Sequence, residues 1–325
     1  MKKLKIGVLG CASIADRMVI PAIQSSGKFE LAAVSSRSAE KAKTFAGKFN
    51  CEAIEGYEAL LDREEIDAVY IPLATGLHHE WAVKALEKRK HCLVEKPIAH
   101  DFSSAQQLVE TARRYNLSLF ENFTFVYHSQ HRFIRDRLDS GEIGEIRCFR
   151  STFGFPPLPA DDFRYDKSLG GGALLDAGVY PLRASLLILG ENSTLNVTSA
   201  SLKTDPEKMV DIYGGACLTG KEGVFSQIAF GFDNFYQCNY EIWGSKGKIR
   251  AERAFTAGPG IKPKVIIEKQ DECHEYILPP DNHFVNILKS FNDSITHGNF
   301  EYHYNGILRQ AQLIQEVLDC AGKCK

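Results

Sequence analysis

Apolar residues follow two different rhythms along this chain. From Lys5 to Glu121, short apolar runs alternate with segments of helical period. Lys5 to Leu9, Glu30 to Ser35, Ala68 to Ile71, His91 to Val94 and Leu117 to Glu121 predict strands. Ser13 to Ser25, Ser38 to Phe49, His78 to Lys88 and Ser103 to Tyr115 predict the helices between them. The first helix is expected to end near Gly27, and Ser38 suits an N-cap of the second. This βαβα order predicts an α/β domain over residues 1–122, a doubly wound parallel sheet with helices on both faces.

After about Asn122 the rhythm changes. Phe133 to Ser140 reads as a helix, and Glu145 to Phe153 alternates like an antiparallel strand. A helix is predicted from near Gly172 toward Leu189. Val197 to Lys203, Gly223 to Phe230, Phe235 to Trp243, Lys264 to Glu268 and His274 to Leu278 read as extended. His283 to His297 and Asn305 to Cys320 close the chain as helices. Strands that follow one another after a βα half predict a second, α+β domain over 123–325. Its closing helices are candidates to pack back on the first domain.

Bulk properties narrow the function classes. A length of 325 residues suits two domains. A net charge of −2 offers no basic surface to nucleic acid or to an anionic membrane. No stretch reads as long and apolar enough to span a bilayer. Met1 to Lys5 runs into the first strand with no signal-peptide core, so a cytoplasmic protein is expected. The nine cysteines are irregularly spaced and include no C-x-x-C, which argues against a disulfide framework or a zinc site. Most are expected to be small buried apolar groups. Sequons beginning at Asn116, Asn122, Asn192 and Asn196 are read as inconsequential.

Three clusters carry chemistry. Gly10-Cys11-Ala12-Ser13-Ile14-Ala15 has the G-x-G-x-x-G/A spacing at the first β–α junction, with Ala12 in place of the central glycine. Small residues let the backbone approach a pyrophosphate, and the helix N-terminus favours its charge. The second strand ends in Ser35-Ser36-Arg37-Ser38, without the acidic residue that usually binds a ribose 2′-hydroxyl. Arg37, with Ser36 and Lys41, can hold a 2′-phosphate instead, so NADP(H) is favoured over NAD(H). In the second cluster, Glu95-Lys96-Pro97, a cation sits at the carboxyl end of a strand and a stiff turn follows it. The third runs from Gly170 to Pro181. Its glycines lead into a helix where the backbone must come close to something, and Asp176 and Tyr180 lie one turn apart on one side. A phenol whose proton is made available by a neighbouring Lys suits carbonyl chemistry.

Together with Pro72 and His78, these motifs resemble the Gfo/Idh/MocA oxidoreductase family over nearly the whole length. The resemblance implies a Rossmann domain, then an α+β domain with a large open, mostly antiparallel sheet. That sheet often forms subunit contacts, so a homodimer or homotetramer is expected. The family transfers hydride between a nicotinamide and a sugar or polyol carbon. Lys96 and Asp176 fall on its conserved lysine and aspartate. Pro72, Leu73, His78, Glu95 and Lys96 are then expected near the cofactor.

Many polyol dehydrogenases of the family carry His where this chain has Tyr180. Tyr there, the stretch Glu121 to Phe125, His128 to His131 and Tyr180 to Arg183 are similar to the sugar 3-ketoreductases of deoxysugar biosynthesis. The implied substrate is a dTDP-linked 3-keto-6-deoxyhexose, reduced by NADPH. Tyr180 would donate the proton, Lys96 would stabilise charge on oxygen, and Asp176 would orient a substrate hydroxyl or Lys96. Asn122, Phe123, His128, Gln130, Arg164, Asp176, Tyr180 and Arg183 are the expected substrate side. His128 and His131 read as substrate-side or packed groups, His79 as exposed, and no metal is implied. Three other readings stay open: a free-sugar dehydrogenase of the dihydrodiol or xylose type, an NAD-dependent glycosidase or epimerase, and a non-catalytic NADP sensor. A sensor needs none of Lys96, Asp176 and Tyr180.

Overall fold

The computed structural model describes residues 3–190 and 195–323; Cys324 and the Asn192 sequon lie outside the described residues. The chain forms two compact units, Met1–Thr124 with Phe284–Leu308, and Phe125–His283 with Arg309–Lys325.

In the first unit, β1 (Leu4–Leu9), β2 (Phe29–Ser36), β3 (Glu52–Glu55), β4 (Ala68–Ile71), β5 (His91–Val94) and β6 (Leu119–Glu121) pair in parallel. Their order is β3-β2-β1-β4-β5-β6. Val8, Val34, Val69, Ile71, Leu93 and Val94 are fully buried, as strands covered on both faces require. The strand order reverses at β1, which places a ligand crevice at the carboxyl ends of β1 and β4. Helices α1 (Ile20–Ser25), α2 (Ala39–Phe49), α3 (Tyr57–Leu61), α4 (Thr75–Glu87) and α5 (Phe102–Tyr115) make the crossovers, α1 after a π turn at Ala15–Val19. Ser38 caps α2 by accepting from the Lys41 N–H, and Asp101 caps α5 by accepting from that of Ser104. The pattern of the sequence did not predict β3 or α3. It also placed the start of α4 three residues late, so His78 lies within the first turn of that helix and His79 is half-buried rather than exposed.

The second unit holds α6 (Ser129–Asp139), β7 (Ile146–Gly154), α7 (Val179–Leu189), β8 (Asn196–Thr204), β9 (Asp211–Thr219), β10 (Phe225–Gly231), β11 (Gln237–Gly244), β12 (Lys248–Glu252), β13 (Lys264–Lys269) and β14 (Glu272–Ile277). The eight strands run β14-β13-β12-β11-β7-β10-β9-β8. Only β7 and β10 pair in parallel, so the sheet is mostly antiparallel, as expected. β9 and β12 were not predicted. The chain ends in α8 (His283–His297) and α9 (Glu301–Lys323), and the division between the units falls within α9. Residues 284–308 complete the core of the first unit. The Phe291 ring lies 5.8 Å from Phe29 and 5.2 Å from Phe120, and the Ser294 and Ser118 hydroxyls meet at 2.7 Å.

Two composition-based expectations need correction. The helical run Lys167–Leu189 is long and apolar enough by composition to cross a bilayer, with an 18-residue window of mean hydropathy 1.4. Since 67% of that window is buried within the fold, its apolar side chains are taken up by the core of the unit. Among the described cysteines only Cys92, Cys148 and Cys238 are buried. Cys273 is exposed, and Cys11, Cys51, Cys217 and Cys320 are half-buried, so most are not core groups.

Buried histidines set an acid limit on stability. His131 is enclosed, its Nε2 donating to the Ala254 carbonyl and its Nδ1 accepting from the Tyr240 hydroxyl. Burial, then the neighbouring His128, depress its pKa to about 3. Burial likewise depresses His283 and His91 to about 4. The unfolded chain takes up these protons near pH 6.5, before the folded one does. Stability is therefore expected to be complete above about pH 6.5 and to fall as pH drops toward 4, by about 1.4 kcal/mol per pH unit for each such histidine. Urea titrations at pH 7, 6 and 5 measure this; a midpoint unchanged across that range would contradict it.

Candidate active site

The carboxyl end of β1 turns at Gly10, whose φ of +114° lies in a region that side chains avoid. A Cβ there would stand 2.8 Å from Leu73 Cδ2, so the turn closes against Leu73 only because Gly10 lacks a side chain. The first helical bond runs from the Asp16 N–H to the Ala12 carbonyl at 3.0 Å. The preceding N–H groups, around Ala12, Ser13, Ile14 and Ala15, therefore have no partner earlier in the helix. Cys11 Sγ lies 4.0 Å from the Ser35 carbonyl and 3.9 Å from that of Lys41, which joins this turn to the end of β2. There Ser36 is buried, while Arg37 and Lys41 are exposed. A tight glycine turn, N–H groups without a helical partner, and two exposed cations just after β2, Arg37 also bonding the Tyr57 phenol, fit a dinucleotide bearing a 2′-phosphate.

Beside it, the Glu-Lys-Pro turn is fixed from several directions. Its Lys96–Pro97 bond is cis. The Ile98 N–H donates to Glu121 Oε1 at 2.8 Å. His78 bridges two loops, with Nδ1 2.7 Å from the Pro97 carbonyl and Nε2 2.8 Å from that of Leu73. Both partners only accept, so a neutral ring satisfies one by donation and turns a lone pair to the other. Protonation would satisfy both, but burial foremost, with Lys96 adding to it, depresses the imidazole pKa. Pro72 is buried beside this bridge and Leu73 half-buried. Glu95 Oε1 accepts from the Tyr70 hydroxyl at 2.6 Å and from Asn122 Nδ2 at 2.5 Å. Asn122 and Phe123, expected on the substrate side, are buried.

In the second unit, Asp176 and Tyr180 are carried by a π turn, Leu174–Gly178, that leads into α7. The close approach demanded by the glycines is to the protein itself. Gly172, at φ +124°, lies against the Asp211 carboxylate, which accepts the Leu174 N–H at 2.6 Å and so caps the helix. Burial raises the Asp211 pKa, partly offset by those backbone bonds. Asp176 Oδ2 accepts from Arg164 Nε at 2.8 Å, and Asp162 pairs with the same guanidinium at 3.1 Å. Burial works against the Arg164 charge, but the two carboxylates outweigh it and hold its pKa above the usual arginine value.

Tyr180 is half-buried among Phe125, Phe153 and Phe255, with ring centroids 5.8, 4.9 and 5.6 Å away. Those rings fix the phenol in place. Arg183, one turn further along α7, is half-buried. His128 and Gln130 are enclosed. His128 Nδ1 caps α6 by accepting the Gln130 N–H, and Gln130 Nε2 reaches the Ala254 carbonyl at 3.4 Å. Sequence reasoning missed Tyr70, Asp162, Asp211, Phe153 and Phe255, and gave Phe125 no role of its own. Only Asp162, two residues before Arg164, had a local signal.

The profile of the Gfo/Idh/MocA family, described as an oxidoreductase family with an NAD-binding Rossmann fold, matches residues 4–123, and its C-terminal domain profile matches residues 131–250. A dTDP-3,4-didehydro-2,6-dideoxy-alpha-D-glucose 3-reductase from Actinomadura kijaniata is 42% identical over 97% of this chain and 94% of its own length. KijD10, a 3-ketoreductase from Actinomadura kijaniata solved in complex with NADP and TDP-benzene, superposes with a TM-score of 0.95 at 41% identity over 98% of each chain. The same protein has been solved with a tyrosine replaced by Phe (TM-score 0.95, 41% identity) and with a lysine replaced by Ala (TM-score 0.91, 40% identity), again over 98% of each chain. A parallel sheet with a small-residue turn at β1, a second mostly antiparallel sheet, and matches that reach across both place this chain in the Gfo/Idh/MocA family of oxidoreductases.

Proposed function

We propose that this protein uses NADPH to reduce the keto group of a dTDP-linked 3-keto-deoxyhexose. When bound, NADPH supplies a hydride to the carbonyl carbon and leaves as NADP⁺. The residues of this chain do the rest. Gly10 to Ala15 receive the pyrophosphate, and Arg37 with Ser36 and Lys41 holds the 2′-phosphate. As the carbon–oxygen double bond becomes single, the ammonium of Lys96 stabilises the growing negative charge on oxygen. The phenol of Tyr180 gives that oxygen its proton, which yields a secondary alcohol. Asp176, steadied by Arg164, orients a substrate hydroxyl.

One observation carries this reading. The lysine and the tyrosine replaced in the KijD10 variants stand the same number of positions apart as Lys96 and Tyr180, in chains that align almost end to end. The test is to mix the protein with NADPH and a dTDP-linked 3-keto-deoxyhexose and follow the absorbance of the reduced nicotinamide. Turnover is expected. Turnover of a free sugar with NADP⁺, and none of the nucleotide-linked ketone, would overturn the proposal.

The cofactor preference gives a separate prediction. A charge-assisted hydrogen bond contributes about 1.5–3 kcal/mol. Arg37→Ala is therefore expected to raise the Kd for NADPH roughly 10- to 100-fold, with NADH changed less than about twofold. Fluorescence titration of both cofactors measures this, and equal losses would remove the 2′-phosphate site. The same reading takes the protein to be cytoplasmic and to act as a homodimer or homotetramer. Exposed Tyr213 and Trp243 on the second sheet support the assembly.

A further inference from the structure

Glu95 has no part in the proposed proton and hydride transfers, yet two buried side chains of the first unit converge on its carboxylate. Tyr70 lies on β4 between Val69 and Ile71, all three fully buried, and Asn122 follows the end of β6 with 4% of its surface exposed. A phenol and an amide in such places destabilise the fold unless they are hydrogen-bonded. Both donate to the same atom, Glu95 Oε1, at 2.6 and 2.5 Å. Two donors on one oxygen favour the ionised carboxylate. The next residue is Lys96, whose ammonium is favoured by a negative neighbour.

We infer, resting on the role proposed for Lys96, that Tyr70 and Asn122 are positioning residues for the ketoreduction: they hold Glu95 as the anion beside Lys96 and so fix the charge of that ammonium. Burial pushes the Glu95 carboxyl up from its ordinary value; the bonds from Tyr70 and Asn122, then the charge and backbone N–H of Lys96, pull it partly back. Losing one donor therefore moves the carboxyl further toward its neutral form. The other groups packed on this turn in the first unit are His78 on α4, which holds the Pro97 carbonyl, and Glu121 on β6, which holds the Ile98 N–H.

The test is Tyr70→Phe, which removes one oxygen and keeps the ring. The alkaline limb of the kcat–pH profile is expected to move down by about one pH unit, because an ammonium with a weakened anionic neighbour gives up its proton at lower pH, and kcat on that limb to fall about tenfold, since one unit is tenfold in protonation. The Kd for NADPH should stay within about twofold. In a Glu95→Gln background, adding Tyr70→Phe should change kcat no further, because the two act through one carboxylate. Asn122→Leu removes the other donor and should move the same limb in the same direction. A Tyr70→Phe protein with lower Tm but the parental kcat and pH profile would overturn the inference, as would additive losses with Glu95→Gln. If instead the role of Lys96 is wrong, Lys96→Ala keeps its activity, which separates the two failures.

Discussion

Replacing Tyr180 with Phe is expected to lower kcat by a factor of about 10²–10⁴, the usual contribution of a positioned general acid. The substitution removes only the hydroxyl. The ring stays edge-on to Phe153 and packed against Phe125 and Phe255, so Tm should not fall. The Kd for NADPH should also hold, because the dinucleotide turn lies elsewhere in the sequence, at Gly10 to Ala15. Single-turnover oxidation of NADPH by the ketone substrate separates chemistry from product release. A variant that reduces substrate at the parental rate would show that another group donates the proton.

Lys96→Ala is expected to cost about 10²–10³ in kcat, the range measured when one preorganised partner of a developing oxyanion is removed. Two bonds that hold the turn carrying Lys96 do not pass through its ammonium. His78 grips Pro97, and Glu121 grips Ile98. The loss should therefore appear in turnover in a protein that still folds, with Tm lowered by what the Glu95 carboxylate loses with the neighbouring charge. Lys96→Arg keeps the charge but replaces a compact ammonium with a planar fork, and should recover only part of the rate. Full activity in Lys96→Ala would remove the electrostatic role.

Much of the first unit was legible because its signals are local. Apolar runs, small residues at the first turn and Ser38 before α2 each act within a few positions, and the structure returns them where the pattern placed them. What escaped had no local signature. β3 is a four-residue strand with two exposed glutamates, and α3 spans only five residues. The apolar pattern of β9 is interrupted by Gly214 and Gly215, which carry no apolar side chain to mark a face. Asp211 caps a helix 37 residues before it in sequence, and nothing near either residue announces the other. Tyr70 read as one more apolar strand position because its partner, Glu95, lies 25 residues on. The glycines before Asp176 were read as a close approach, and what they approach is the chain itself, Gly171 the Arg164 and Asp166 carbonyls and Gly172 the Asp211 carboxylate.

The dependence of the first unit on residues 284–308 bears on how this protein is made. While the ribosome is still adding the second unit, Phe29 and Phe120 lack Phe291, and Ser118 lacks Ser294. At about 5–20 residues per second that interval lasts on the order of 10 s. Through it, the nascent nucleotide-binding half presents an unfinished apolar face, the kind of surface a chaperone holds.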